Sequence, residues 1–376
     1  MISQRQLFLN HLAQTSDAPL ALEIDFAEGV FLTDVNGKKY MDLISGISVS
    51  NIGHRHPQVI EAIKAQLDKY LYLMVYGEYI QAPQVAYAKL LTEQLPPNLN
   101  SVYFTNSGSE GIEGAMKLAK RHTGRTEIIA CKNAYHGSTH GALSIMGDEY
   151  FKSAFRPLLP DIKFMEFNNP DDLQQISERT ACVIIEPIQG EAGVITPKND
   201  YLQKLQQKCK EQGALFILDE IQTGFGRSGS LFAFQEYGVL PDVITIAKGM
   251  GGGMPIGAFV SSKEIMNSIS HNPVLGHITT FGGHPVSCAA AKASLEVLLN
   301  EKLIGQVKEK EALFRSLLKH PKIVEIRAKG LLIAIEFEDE VSNKKVIQKA
   351  IEKGIITDWF LFNSKSLRIA PPLIIT

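Results

Sequence analysis

The strongest constraint on the fold is an alternation that runs from about residue 100 to about residue 260. Short apolar runs, SVYFT, EIIAC, CVIIE, ALFILDE and VITIA, are separated by stretches of helical periodicity. The runs are β-branched and continuous rather than alternating, which is how strands covered on both faces read. Between them, GIEGAMKLAKRHTG and DYLQKLQQKCKEQG carry helical spacing and end in glycine, a C-cap signal. Strand–helix alternation of this kind predicts an α/β domain built on a large, mostly parallel sheet.

The two ends of the chain read differently. GVFLTDVNGKKYMDL, near residues 29–45, predicts a hairpin closed by a tight Asn-Gly turn. After residue 285 a long helical stretch leads into strands such as GLLIAIEFE. A smaller α+β domain formed by both termini follows, with residues 1–50 and 285–376 flanking a large domain at 51–284. The last residues, PPLIIT, read as an apolar, strand-like end, which raises the expectation of a truncated chain.

Open α/β sheets bind ligands beyond the carboxyl ends of their strands, so the residues at those ends carry the chemistry. SVYFT is followed by NSGSE and a helix, placing Ser107, Gly108 and Ser109 at a helix N-terminus suited to a phosphate. Plain N-capping by serine, with Glu110 complementing the helix dipole, would account for the same residues. ALFIL ends in Asp219 and Glu220, and CVIIE ends in Glu186. A carboxylate there needs a cation or strong donors, and a structural ion pair would suffice.

VITIA ends in Lys248, followed by four glycines within five residues. Burial at a strand end lowers a lysine pKa and makes the amine a Schiff-base candidate, whereas a lone snorkelling lysine would be inert. The glycines are expected to leave space for a planar group and to let the backbone turn. A phosphate cradle, a strand-end acid and a strand-end lysine are together what pyridoxal phosphate requires.

Other chemistries fit less well. Lys248 precedes the glycines, so the run is neither a P-loop nor a dinucleotide-binding G-x-G-x-x-G. The pairs His54/His56 and His136/His140 complete no ligand set, so no metal is expected. A net charge of −2 with 21% charged residues gives no electrostatic footprint for nucleic acid or membrane. The four cysteines are far apart without a C-x-x-C pair, and no secretory leader or bilayer-length apolar run is evident. The expected setting is a reducing cytoplasm.

The motifs in order, GVFLTDVNGKKYMDLISGISVSNIGHRHP, FTNSGSEGIEGAMKLAKR, AYHG, IIEPIQGEAGV, LDEIQTGFGRSG, AKGMGGGMPIGA, TTFGGHP and LRIAPPL, cover nearly the whole chain. This succession resembles the class III aminotransferases, pyridoxal-phosphate enzymes of fold type I that include the acetylornithine, ornithine and 4-aminobutyrate aminotransferases. The resemblance implies that Lys248 carries the cofactor covalently and moves the substrate proton. It implies that Asp219 pairs with the pyridine nitrogen, Gln222 reaches the ring hydroxyl, and Ile221 packs on one ring face. Tyr135 would stack on the other face, His136 and Gly137 would complete that turn, and Gly108 and Ser109 would bind the phosphate. Thr280 would reach the phosphate of a neighbouring subunit, implying a homodimer with shared active sites.

For substrate, the resemblance assigns Arg368 to a carboxylate and Glu191 to covering that arginine when an ω-amine is bound. It implies transamination of an ω-amino or diamino acid, with glutamate and 2-oxoglutarate as the exchange pair. Pyruvate as acceptor, a same-fold aminomutase, decarboxylase or racemase, and a silent cofactor-binding protein are the alternatives. Two positions depart from the pattern. Ser138 stands where the family turn usually carries an arginine for the other carboxylate, and a hydroxyl cannot replace that bidentate pair. His284 stands where the family usually has asparagine, with packing as the expected role.

Overall fold

The computed structural model describes residues 2–376, and three sheets organise them. The N-terminal strands are β1 (Ile24–Glu28), β2 (Phe31–Asp34) and β3 (Lys39–Asp42). The central ones are β4 (Ser101–Thr105), β5 (Glu127–Cys131), β6 (Ile162–Met165), β7 (Thr180–Ile185), β8 (Leu215–Asp219), β9 (Val243–Ile246) and β10 (Gly257–Ser261). The C-terminal ones are β11 (Ile323–Lys329), β12 (Leu332–Phe337), β13 (Ile355–Ile356), β14 (Asp358–Phe360) and β15 (Asn363–Ile369).

The central sheet has seven strands in the order β4-β10-β9-β8-β7-β5-β6. β6, β5, β7, β8 and β9 pair in parallel, and only β10 runs against its neighbours. Every residue of β5, β7, β8 and β9 is buried, which explains their uninterrupted apolar character. SVYFT departs from the expectation of a covered strand. As β4 it is the sheet's edge, half-buried except for Thr105, because only β10 pairs with it.

Helix Gly108–Thr123 starts at an N-cap by Ser107 and stops at Gly124, whose φ of +68° lies in the left-handed region. It buries Ile112, Ala115, Met116 and Leu118 against the sheet. Gly114 lets it come close: a Cβ there would lie 2.2 Å from the Phe259 ring.

Both ends of the chain build the two smaller sheets. β13 pairs in parallel with β3 through Ile355–Met41 and Ile356–Asp42, while β11, β12, β15 and β14 form an antiparallel sheet of their own. The β2–β3 hairpin closes over Val35, Asn36 and Gly37, with Asp34 and Lys38 joined and Gly37 at φ +81°. Its loop is therefore three residues long rather than the two-residue turn expected from Asn-Gly.

PPLIIT is not a strand. It turns and buries Leu373 and Ile375, with the Leu373 amide donating to the Asn51 carbonyl. Arg227, itself fully buried, reaches the carbonyls of Leu331 and Pro371 and the side chains of Ser45 and Asn51, so one guanidinium ties both ends to the centre. Among the described residues no helix is long and apolar enough to cross a membrane.

Candidate active site

The parallel strands end on one edge of the central sheet, and a cavity of about 410 Å³ opens there. β4 delivers Gly108 and Ser109, β8 delivers Asp219, Ile221 and Gln222, and β9 delivers Lys248. The loop after β5 brings Tyr135, His136 and Gly137 to the same cavity, and Glu186 arrives from the end of β7.

At the β4 end the serine-cap reading holds. The Ser107 hydroxyl accepts from the Glu110 amide, and the Glu110 carboxylate turns back to the Asn106 amide at 2.6 Å. That is a serine cap with a dipole-complementing acid. The next amides, of Gly108 and Ser109, have no partner within the helix and border the cavity. Two glycines make this corner possible. A Cβ on Gly108 would lie 2.7 Å from Ile221 Cδ1, and one on Gly137 (φ +125°) 2.1 Å from Ser109 Oγ.

Asp219 is buried, and its Oδ2 lies 2.7 Å from His136 Nδ1 while Oδ1 accepts from the Ile221 amide. Burial pulls the His136 imidazole toward its neutral form, but the bond and charge of Asp219 prevail and raise its pKa above the usual value. His136 therefore does more than complete a turn: its ring nitrogen holds the buried Asp219 carboxylate in place at 2.7 Å. The sequence carried a signal for this only in the joint presence of a buried acid and a histidine on separate loops.

Glu186 has a different task. Its two oxygens accept from the Tyr135 and Gly190 amides, and burial pushes its carboxyl up to about 7. It ties together the loops that carry Tyr135 and Glu191. Glu220 turns away from the cavity, holding the Thr223 hydroxyl and the Phe234 amide.

Lys248 has φ +48°, in the left-handed region, and its side chain borders the cavity. Desolvation lowers its pKa against the opposing charges of Glu191 and Asp219. The glycines that follow serve packing more than ligand space. A Cβ on Gly249 would lie 2.5 Å from Asn51 Nδ2, and one on Gly252 3.0 Å from Ser294 Cβ, while Gly253 alone of the run lines the cavity.

Beside this cavity Arg368 and Glu191 are both buried and paired. Arg368 Nη1 and Nη2 meet Glu191 Oε1 and Oε2 at 3.0 and 2.7 Å. Burial alone would raise the Glu191 carboxyl, but the charges of Arg368 and Lys248 leave it below its usual value. Glu191 also accepts from the Leu361 amide and from the Gln222 side chain at 3.4 Å. Gln222 thus faces the cavity while engaged by Glu191, and Gly190 gives it room. Asp358, which no sequence motif marks, places its Oδ1 3.1 Å from Arg368 Nε.

Three further positions singled out in the sequence lie outside the lining of this cavity. Thr280 is exposed, does not line this cavity, and accepts from the Tyr72 hydroxyl. Ser138 is exposed with its hydroxyl 3.2 Å from that of Tyr135, and among the described residues lining the cavity no arginine takes its place. His284 is the N-cap of helix Pro285–Asn300 through its ring nitrogen, besides stacking near Tyr72, so it caps as well as packs.

The residues fit pyridoxal phosphate. Gly108, Ile221 and Tyr135 line one cavity, with free helix amides for a phosphate, a buried carboxyl at Asp219 for a ring nitrogen, and a desolvated amine. When bound, the cofactor supplies an aldehyde that takes up an amino group and a ring that withdraws electrons from the substrate carbon.

Comparison with known proteins agrees. The model of the family "Aminotransferase class-III" matches residues 12–376. An acetylornithine aminotransferase of Methanopyrus kandleri is 38% identical over 351 residues, covering 93% of this chain and 88% of that protein. The ornithine aminotransferase of Toxoplasma gondii superposes with a TM-score of 0.91 at 30% identity, over 98% of this chain and 89% of that one. An (S)-enantioselective omega-transaminase from Thermomicrobium roseum superposes at 0.90 and 30% identity, over 98% and 93%. By motif order, sheet topology and site together, the chain belongs to the class-III aminotransferases, a family of enzymes that use pyridoxal 5′-phosphate.

Proposed function

We propose that this protein moves an amino group between an ω-amino or diamino acid, of the ornithine, acetylornithine or 4-aminobutyrate type, and a keto acid, with glutamate and 2-oxoglutarate as the exchange pair. The observation that carries this reading is the closed Arg368–Glu191 pair beside the cavity. With the pair closed, the site offers no free cation to an α-carboxylate, and a substrate enters by its carboxylate-poor, ω-amine end. With the pair opened, the same guanidinium binds the carboxylate of glutamate or a keto acid. A site serving a single one-substrate reaction such as decarboxylation, which removes carbon dioxide and leaves the amine in place, has no need of both states.

The side chains divide the work. Asp219 would face the ring nitrogen of a bound cofactor, and His136 orients Asp219 through the 2.7 Å contact. Lys248 would hold the cofactor through its amine, and its Nζ would be the group that moves a proton at the reacting carbon. The Gly108 and Ser109 amides would hold the phosphate, Ile221 and Tyr135 would enclose the ring, and Gln222, in the same cavity, would meet the ring hydroxyl.

A second reading, pyruvate as acceptor, is favoured by Ser138. A cavity whose lining holds no arginine suits a keto acid with one carboxylate. We further propose a homodimer in which Thr280 reaches the partner's phosphate site. Thr280 is exposed next to Phe281, Ile278 and Val274, apolar residues that are 54%, 48% and 72% exposed, a surface suited to a second copy. The four cysteines are free and buried, which accords with a reducing cytoplasm.

The deciding test is a half-reaction. Glutamate added to the purified yellow enzyme should convert it to the aminated cofactor form, seen as loss of the visible band, and 2-oxoglutarate or pyruvate should restore it. Lys248→Ala should show neither change. Release of carbon dioxide, or a band insensitive to every amino acid, would overturn the proposal.

A further inference from the structure

Arg368 has a second acidic neighbour that the switch with Glu191 does not use. β14 and β15 pair with Asp358 directly opposite Arg368. Glu191 occupies the two terminal nitrogens of the guanidinium, and Asp358 Oδ1 approaches the remaining one, Nε, at 3.1 Å. The Trp359 carbonyl accepts from Nη2 at 2.9 Å, and the Phe360 ring lies 4.6 Å from Cζ. Neither Asp358 Oδ1 nor Arg368 Nε meets hydrogen-bond geometry with any partner, so what Asp358 contributes is charge. Its side chain is 27% exposed, against 2% for Arg368 and 4% for Glu191.

With Asp358 ionised, the group of Arg368, Glu191 and Asp358 carries a net charge of −1 while closed. A substrate carboxylate that displaces Glu191 adds another negative charge to the same enclosed region, because the displaced Glu191 stays on its loop. An amine substrate that leaves Glu191 in place adds none. We propose that Asp358 is a specificity-determining residue that weakens carboxylate binding at Arg368 and thereby weights the site toward substrates that leave Glu191 paired. The inference rests on the reading of Arg368 as the carboxylate site.

The charged groups facing Asp358 are Arg368 on the paired strand, Glu191 from the loop after β7, and Asp42 at the end of β3. Burial, with help from Glu191 and Asp42 and against Arg368, pushes its carboxyl up to about 6. The penalty therefore operates above about pH 6 and fades below it, as Asp358 takes up a proton.

The test uses the holoenzyme and glutarate, an unreactive dicarboxylate, with binding measured by calorimetry between pH 5.5 and 8. Asp358→Asn keeps the shape and removes the charge. At pH 8 the variant should bind glutarate roughly three- to tenfold more tightly than the wild type, a difference set by one neighbouring charge. The difference should close as the pH falls through about 6. KM for the keto acid should fall in parallel, and the ratio of that KM to the KM for putrescine, which has no carboxylate, should fall with it. Equal or weaker glutarate binding by the variant, or a pH-independent difference, overturns the inference. The pH course of the wild type alone tests the point if the variant does not fold. Arg368→Lys, measured alongside, separates the two readings. If it leaves glutarate binding unchanged, the carboxylate-site reading itself fails. If it weakens binding while Asp358→Asn does not strengthen it, only the role of Asp358 fails.

Discussion

Arg368 and Glu191 face each other as a closed, two-pronged ion pair, at 3.0 and 2.7 Å, with neither side chain open to solvent. Breaking such a pair from one side leaves an uncompensated buried charge, so the pair behaves as a latch rather than as a surface bridge. Glu191→Gln keeps the shape but removes the charge that covers Arg368. Selectivity for the ω-amine over the α-amine of ornithine should drop by about tenfold or more, since charged pairs of this kind carry more than about 1.4 kcal/mol. Product analysis of the ornithine reaction checks this, because the two amines yield different products.

His136 and Asp219 form the second buried pair, at 2.7 Å. His136→Phe should cost about 3–5 kcal/mol in denaturant unfolding of the apoprotein, the usual loss when one partner of a buried pair is removed. The sign of the pH dependence follows from the raised His136 pKa. Stability gained from a protonated His136 is fully present below its unfolded pKa, about 6.5, and is lost as pH rises through the higher folded value. The gap between wild type and variant should therefore narrow in alkaline buffer; a gap that widens there counts against the pair.

Ser138 lies beside Tyr135, its hydroxyl 3.2 Å from the tyrosine's, and among the described residues lining the cavity there is no arginine. Ser138→Arg should lower KM for 2-oxoglutarate at least about tenfold, the scale of one charge-assisted, bidentate contact. It should leave KM for pyruvate nearly unchanged. Steady-state kinetics with both acceptors decide it, and equal effects on the two would place the distal carboxylate elsewhere.

Gly137 has φ +125°, and a Cβ there would sit 2.1 Å from Ser109 Oγ. Gly137→Ala should both strain the backbone and displace the serine at the phosphate corner. We expect cofactor affinity to fall by about tenfold or more, given a cost of order 1–3 kcal/mol for a side chain held in such a conformation. Fluorescence titration of the apoprotein with pyridoxal phosphate measures it.

Much of this molecule was legible before its structure. EIIAC, CVIIE, ALFILD and VITIA announce covered strands because a strand buried on both faces must be apolar throughout, and all of β5, β7, β8 and β9 is buried. SVYFT reads alike yet is a half-buried edge, since pattern alone does not say how many neighbours a strand acquires. The serine cap of helix Gly108–Thr123 was readable because capping is settled within four residues. PPLIIT reads as strand-like yet is not a strand, because its apolar side chains are buried from a turn, not a sheet.

What the sequence determined on its own is therefore local and periodic: the strands and helices of the centre, the residues brought to the strand ends, and the family motifs that name Lys248, Asp219, Glu191 and Arg368. What only the tertiary structure decided is which of these groups face one another. His136 is 83 residues from Asp219, and Glu191 is 177 residues from Arg368. Asp358 meets Arg368 through a hairpin register that neither residue reveals in sequence. Charge pairing depends on separation in space and on exclusion of water, and chain spacing encodes neither; the folded sheet edges supply both.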